Sequence, residues 1–301
     1  MTSLANIQAL LLPGLRGLTG RYAQIPTQWS GVFDQGTSKM TVERTAEMRY
    51  LGLAAIKTEG GATVFDNASG QRYIYAQEHL EIGLGYSMTR KAIDDNLYKE
   101  QFNPSNLGLM DSFKQTKEIE GATVLNTATT YNAAIGGDGV ALCSTAHPVD
   151  GGTWANRPTT DQDLNETSLT QALTAIRYFP TQANLRVFAR GRKLLVPPQL
   201  EWTAERLLRS ELRPNTANND VGVLVSTKAL PEDYAVLDFL TSNFAWFVLT
   251  DKKGLLYLQR IGFETDMQVD PVTGNLLVIG YERYSFAYND PRAIYGSFPS
   301  A

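Results

Sequence analysis

Apolar and polar positions alternate from Leu80 to Tyr86, where Leu80, Ile82, Leu84 and Tyr86 are separated by Glu81, Gly83 and Gly85. This is the period of a half-buried strand. It closes a longer segment, Arg49 to Ser87, in which YLGLAAIK and QRYIYAQEHLEIGLGYS flank the glycine-rich TEGGATVFDNASG. Two extended arms around such a tip predict a long β-hairpin that projects from a compact body. The period then lengthens. Asn103-Pro104 reads as an N-cap followed by proline at the first helical position, and no further proline intervenes before Ala128. A helix over about 104–128, roughly 37 Å long, is expected to lie on a sheet. Its apolar positions, Leu107, Met110, Phe113, Ile119 and Val124, are only loosely periodic.

The stretch from Thr129 to Asp163 has no period and is rich in glycine, threonine and aspartate. Loops of more than about 12–15 residues usually serve function or assembly. A helical period returns in DLNETSLTQALTAIRYF, which places Leu169, Leu173 and Ile176 on one face. RKLLVPPQLEWTAERLLRS then predicts a strand, a Pro-Pro corner and a helix with Leu200, Ala204 and Leu207 inward, and Arg213 to Asp220 an exposed loop. VGVLVS, AWFVLT, LLYLQRIGFETDMQV and NLLVIGYERYSFAY are strand-like, the last two joined by the turn sequence DPVTGN. This order predicts an α+β fold rather than a regular βαβ alternation.

The first fifty residues look like an arm. Leu4, Ile7 and Leu11 fall on one face of a short helix that Ser3 caps and Pro13-Gly14 ends. The segment that follows is aromatic but aperiodic, broken by Pro26, Gly31 and Gly36, so Tyr22, Trp29 and Phe33 are expected to pack on a neighbouring subunit.

Composition narrows the function classes. A chain of 301 residues with 43% hydrophobic and 19% charged residues buries a real core, and its length suggests about two domains. A net charge of −4 excludes the global basic field that drives sequence-independent nucleic-acid binding. A single cysteine excludes an intrachain disulfide framework and fits a reducing cytoplasm. No Lys or Arg precedes the short apolar run Ala9–Leu12, and no stretch approaches the ~18 apolar residues of a membrane span. A soluble protein made in the cytoplasm is expected, with no membrane partner.

Candidate chemistry is sparse. Cys143 lies four residues before His147 in GDGVALCSTAHP. A catalytic thiol needs a base and a group that orients it, and these are usually brought together in space rather than within one loop. One Cys and two His do not make a four-ligand metal site. Asp94 and Asp95 diverge by about 100° on a helix and read as a solvated face. GGDGV lacks the Lys-Ser/Thr of a phosphate loop, and the basic run Arg190 to Lys193 lacks interleaved aromatics. No catalytic residue, cofactor or metal ligand is assigned. Replacing Cys143 by Ser is expected to leave stability nearly unchanged.

The order of parts, read with particular residues, resembles the major capsid proteins of tailed double-stranded DNA phages with the Hong Kong 97-type fold, nearest the phage Mu-type head-subunit group. The stretches that carry the resemblance are TRKAIDDNLY (Thr89 to Tyr98), GDGVALCSTAHP (Gly137 to Pro148) and LLVPPQLEWTAERLL (Leu194 to Leu208), with AWFVLTD (Ala245 to Asp251) and ERYSFAYNDPRAIYGS (Glu282 to Ser297). The resemblance implies an N-terminal arm (1–48), an extended loop (49–87), a peripheral domain (88–163) carrying a spine helix, an axial domain (164–254), and a return to the peripheral domain (255–301). It also implies pentamers and hexamers of an icosahedral shell around double-stranded DNA that is not read by sequence. Portal, scaffolding and, in some members, decoration proteins would be partners, and the virion, assembled in the host cytoplasm, the location. Because the arm-like segment begins at Met1, a separate scaffold is expected. Some members crosslink through Lys and Asn, but Lys57 and Asn67 near the tip are residue types too common to carry that over. The alternatives are an encapsulin-type compartment shell, a cysteine hydrolase using Cys143 and His147, and a nucleic-acid-binding module using the basic run.

Overall fold

The computed structural model of the chain describes residue 22 and residues 24–66, 70–95, 98–210 and 222–300, without the side chains of 93, 94 and 98–103. The predicted helix on Leu4, Ile7 and Leu11, the crosslink candidate Asn67 and the predicted loop 213–220 lie outside the described residues.

After a 3-10 turn at Trp29–Gly31 come strands β1 (Asp34–Thr37), β2 (Val42–Met48), β3 (Gln71–Glu78) and β4 (Leu80–Met88). Helices α1 (Arg90–Asp94) and α2 (Tyr98–Asn126) follow, then β5 (His147–Val149), β6 (Gly152–Trp154) and α3 (Glu166–Arg177). Next are β7 (Gly191–Val196), α4 (Glu201–Arg209), α5 (Val223–Ser226), β8 (Tyr234–Val236) and β9 (Trp246–Thr250). Two long strands, β10 (Leu255–Val269) and β11 (Leu276–Tyr288), precede the terminal β12 (Ile294–Ser297).

These elements make two four-stranded sheets, in the orders β1-β10-β11-β4 and β12-β9-β7-β8, and two ribbons, β2-β3 and β5-β6. The only parallel pairs among them are β1 with β10 and β7 with β8. DPVTGN closes β10-β11 as expected: Asp270 accepts from Val272 N–H at 3.0 Å, and Gly274 takes φ +70°. Asn165 and Ser168 cap α3 reciprocally. One core gathers Trp29, Phe33, Leu125, Tyr257 and Tyr284 between α2 and the first sheet. The other packs Leu169 and Ile176 of α3 and Ala204 of α4 against Leu194, Val196, Trp246 and Val248 of the second.

Four expectations are corrected. Tyr22, Trp29 and Phe33 are buried in their own chain: Trp29 meets Tyr257 with ring centroids 4.2 Å apart, Phe33 meets Phe286 at 4.9 Å, and Tyr22 stacks on Phe263 at 4.4 Å. An aperiodic segment still buries its aromatics when β10 and β11 supply facing rings. The helix expected from about 104 starts at Tyr98 and runs through Pro104. Proline's φ is compatible with a helix, and the missing N–H and the crowding of its ring against the preceding turn are local costs that the rest of this long helix outweighs. Its 29 residues span about 43 Å, with Met110, Phe113 and Val124 buried and Leu107 and Ile119 exposed.

The hairpin arms are also re-paired. β3 binds β2, which lies before the predicted hairpin, whereas β4 leaves it and adds antiparallel to β11. Ile82 and Tyr86 therefore half-bury while Leu80 and Leu84 stay exposed, and YLGLAAIK forms no strand. Within VGVLVS, Val223–Ser226 is a single helical turn rather than a strand. A four-residue apolar run fits either state, and burial of Leu224 alone satisfies the turn.

Candidate functional site

The loop with the lone thiol is organised around Asn156, not Cys143. The Asn156 side chain is fully buried; its Nδ2 donates to the carbonyls of Leu142, Pro291 and Ile294 at 2.7, 3.0 and 3.2 Å. Its Oδ1 accepts from Ser144 N–H at 2.8 Å and lies 3.1 Å from His147 Nε2. His147 Nδ1 lies 2.6 Å from Asp138 Oδ2, and the imidazole stacks on Trp154 at 4.8 Å. Both ring nitrogens are thus held by Asp138 and Asn156, and neither is left to take a thiol proton. Cys143 is buried, and desolvation pushes its thiol well above the usual range, the opposite of an activated nucleophile. The arrangement ties the 129–163 loop to the 3-10 turn before β12.

The other candidates are equally structural. Gly137 takes φ +87°, and a Cβ there would come 2.2 Å from the Tyr75 ring, so the glycine run shapes a passage for β3 and presents Asp138 to His147. In the basic run, Arg192 and Lys193 pair with Glu232 at 3.2 and 3.0 Å, which removes them from any free cationic patch. Asp95 is exposed after α1.

Sequence reading missed the buried ion pair between α2 and β11. Lys117 on α2 pairs with Glu282 on β11, whose other oxygen accepts from Tyr22 O–H at 2.9 Å. The Lys117 ammonium also lies over the rings of Tyr284 and Tyr22, at 4.8 and 5.4 Å. Burial lowers the Lys117 pKa against the raising effect of Glu282. The signal was available: Met110, Phe113, Lys117 and Val124 share one helical face, so a lysine stands in an apolar stripe.

Among the described residues, a run of exposed large apolar side chains lies on the extended segment between β2 and β3. Leu53, Ile56, Val64 and Phe65 are 84%, 98%, 76% and 83% exposed, and Tyr50 and Leu51 are exposed beside them. Among the described residues, contacts hold the segment at its root and tip. Arg49 N–H donates to Gly70 O at 2.9 Å, Gly52 N–H to Asp66 Oδ2 at 2.7 Å, and Gly60 turns the tip with φ +75°. At the root Arg49 pairs with Asp150 at 2.6 Å and Glu47 with Arg292 at 3.1 Å. A soluble monomer rarely displays so many large apolar side chains on one projecting segment, which marks a surface made to be covered.

The family model for phage capsid proteins matches residues 80–297. No curated protein matches. Among solved structures, the chain is similar to the capsid of an empty GTA particle, at 11% identity over 91% of this chain and 90% of that one, with a TM-score of 0.56. It is similar to the procapsid of bacteriophage JBD30, at 12% identity over 99% and 77%, TM-score 0.55. A virus-like particle from Pyrococcus furiosus gives 8% identity over 95% and 98%, TM-score 0.54. At such identities the likeness speaks to the fold, which is of the Hong Kong 97 type, while the family match covers most of the sequence. The chain belongs to the phage capsid protein family as a structural major capsid protein.

Proposed function

We propose that copies of this chain assemble as pentamers and hexamers of a closed icosahedral head around double-stranded DNA, and that residues 49–66 lie across a neighbouring subunit. The observation that carries this reading is the exposed run of Leu53, Ile56, Val64 and Phe65 on the segment between β2 and β3. Burying a large apolar side chain is worth roughly 1.5–3 kcal/mol, so this loop is a strong source of association energy. The first sheet with α2 then forms the peripheral domain and the second sheet with α3 and α4 the axial domain, β12 joining the two. The net charge of −4 suits a container that does not grip its contents. Portal, scaffolding and decoration proteins are the expected further partners in the host cytoplasm. No enzymatic step is assigned, because His147 is occupied and Cys143 is buried and protonated. Mass photometry and electron microscopy of the purified protein, with and without a scaffold, test the proposal. Megadalton closed particles are expected; a compact monomer or dimer under every condition overturns it.

A further inference from the structure

His79 is the single residue between β3 and β4, the point at which the β2-β3 ribbon leaves the first sheet. It is buried and lies between two hydroxyls from other elements. Its Nε2 is 2.9 Å from Ser38 Oγ, just past β1, and its Nδ1 is 2.8 Å from Ser285 Oγ on β11. The directions of these bonds follow from the surroundings. Ser38 Oγ donates to Glu43 Oε1 at 2.6 Å and accepts from Met40 N–H at 3.1 Å. The His79 Nε2–H therefore donates to Ser38, and Nδ1 accepts from the Ser285 hydroxyl. A neutral imidazole, with one donor and one acceptor, fits this chain. A second ring proton, on Nδ1, would face the hydroxyl that now donates to it, and Ser285 would lose its acceptor inside a buried site.

We propose that His79 is a proton-sensitive latch that holds the root of the extended loop on the first sheet when neutral and releases it when protonated. The neighbouring strand carries the second fastening: Gln77 Nε2 donates to the Ser285 carbonyl at 3.1 Å. Both contacts converge on Ser285 of β11, beside the fastenings at Arg49–Asp150 and Glu47–Arg292 and the backbone bonds from Ala76 N–H to Ile135 O and from Gly137 N–H to Ile74 O.

The charges around the ring set the direction. Burial first, then Arg283 of β11 and Arg260 of β10, hold the imidazole below its ordinary 6.5, and Glu43 of β2 opposes them. Arg283 is itself paired with Glu81 of β4 at 3.5 Å, and Arg260 reaches the Ser38 carbonyl at 3.4 Å. A histidine whose pKa is depressed by folding stabilises the fold above its unfolded value and loses that contribution as the pH falls below it. The latch is thus closed above 6.5 and weakens below it. A groove of about 520 Å³ is lined by His79, Ser285, Gln77 and Glu120 among others.

The test is hydrogen–deuterium exchange of the full-length protein at pH ~7.5 and ~5.5, corrected for intrinsic rates, in the wild type and in His79→Gln. Glutamine keeps one donor and one acceptor but does not titrate. In the wild type, amides of 42–48 and 71–78 should exchange faster at the lower pH, as the imidazole takes up its second ring proton, while α2 stays protected. In His79→Gln that acceleration should vanish. The chain has two histidines, so should the variant fail to fold, side-chain histidine exchange in the wild type still decides, because His79 and not His147 must titrate in step with the opening. An equal acceleration in the variant, opening that follows His147, or loss of protection in α2 together with the root would overturn the latch.

Discussion

Replacing Leu53, Ile56, Val64 and Phe65 together by serine separates the role of the extended loop in assembly from any role in folding. In the isolated subunit these side chains are at least three-quarters exposed, so their removal forfeits little burial. Surface changes of this kind usually stay within about 0.5 kcal/mol each. In a shell that covers them, each burial is worth roughly 1.5–3 kcal/mol, which gives an upper bound of about 6–12 kcal/mol per subunit. Ordering the loop on its neighbour takes part of this back, and a net loss of a few kcal/mol still raises the assembly threshold by about a hundredfold or more. Thermal unfolding of the variant subunit should therefore match the wild type within about 4 °C, while sedimentation velocity shows no particles at concentrations where the wild type is fully assembled. Particles at the wild-type threshold would refute the reasoning, and so would a subunit that melts much earlier, since the loop would then be packing within its own chain.

Three further outcomes follow from the buried groups. Asn156→Ala strips partners from Leu142, Ser144, His147, Pro291 and Ile294 at once and should cost about 3–5 kcal/mol in urea unfolding, seen as a lower midpoint at unchanged slope. Lys117→Met leaves Glu282 buried, with Tyr22 as its side-chain partner among the described residues, and should destabilise by about 3–5 kcal/mol, a loss that Lys117→Met with Glu282→Leu largely restores; equal melting of the single variant and the wild type would contradict the pairing. Cys143 should be inert to a thiol reagent at pH ~8 in the native state and react on denaturation, and Cys143→Ser should cost about 1–3 kcal/mol by burying a hydroxyl. That last value corrects the neutral substitution expected for a loop thiol, because Cys143 is buried, with its sulfur packed against Gly296.

The legibility of the sequence varied with the range of the contacts. Where a local period determines both the element and its buried face, as for Leu169 and Ile176 on α3 or the β10-turn-β11 pair, the pattern was sufficient. The partners of β2, β3 and β4 are set by pairing over long distances, so alternation from Leu80 to Tyr86 identified a strand but not that it binds β11. The aromatics Tyr22, Trp29 and Phe33 were visible as apolar residues without a period. What covers them, Phe263, Tyr257 and Phe286, lies more than two hundred residues away. The exposed loop was legible as a projecting segment from its glycine-rich tip. The polar cores were not: Asn156 and His79 are ordinary residues in sequence, and only the carbonyls and hydroxyls around them reveal what they do.

We propose that this chain builds a closed shell whose subunits are joined by the loop between β2 and β3. Cryo-electron microscopy of particles assembled from the purified protein tests it most directly. An icosahedral shell is expected in which Leu53, Ile56, Val64 and Phe65 are buried against an adjacent subunit. Closed shells in which those four side chains remain in solvent, or no closed particles at all, would contradict it.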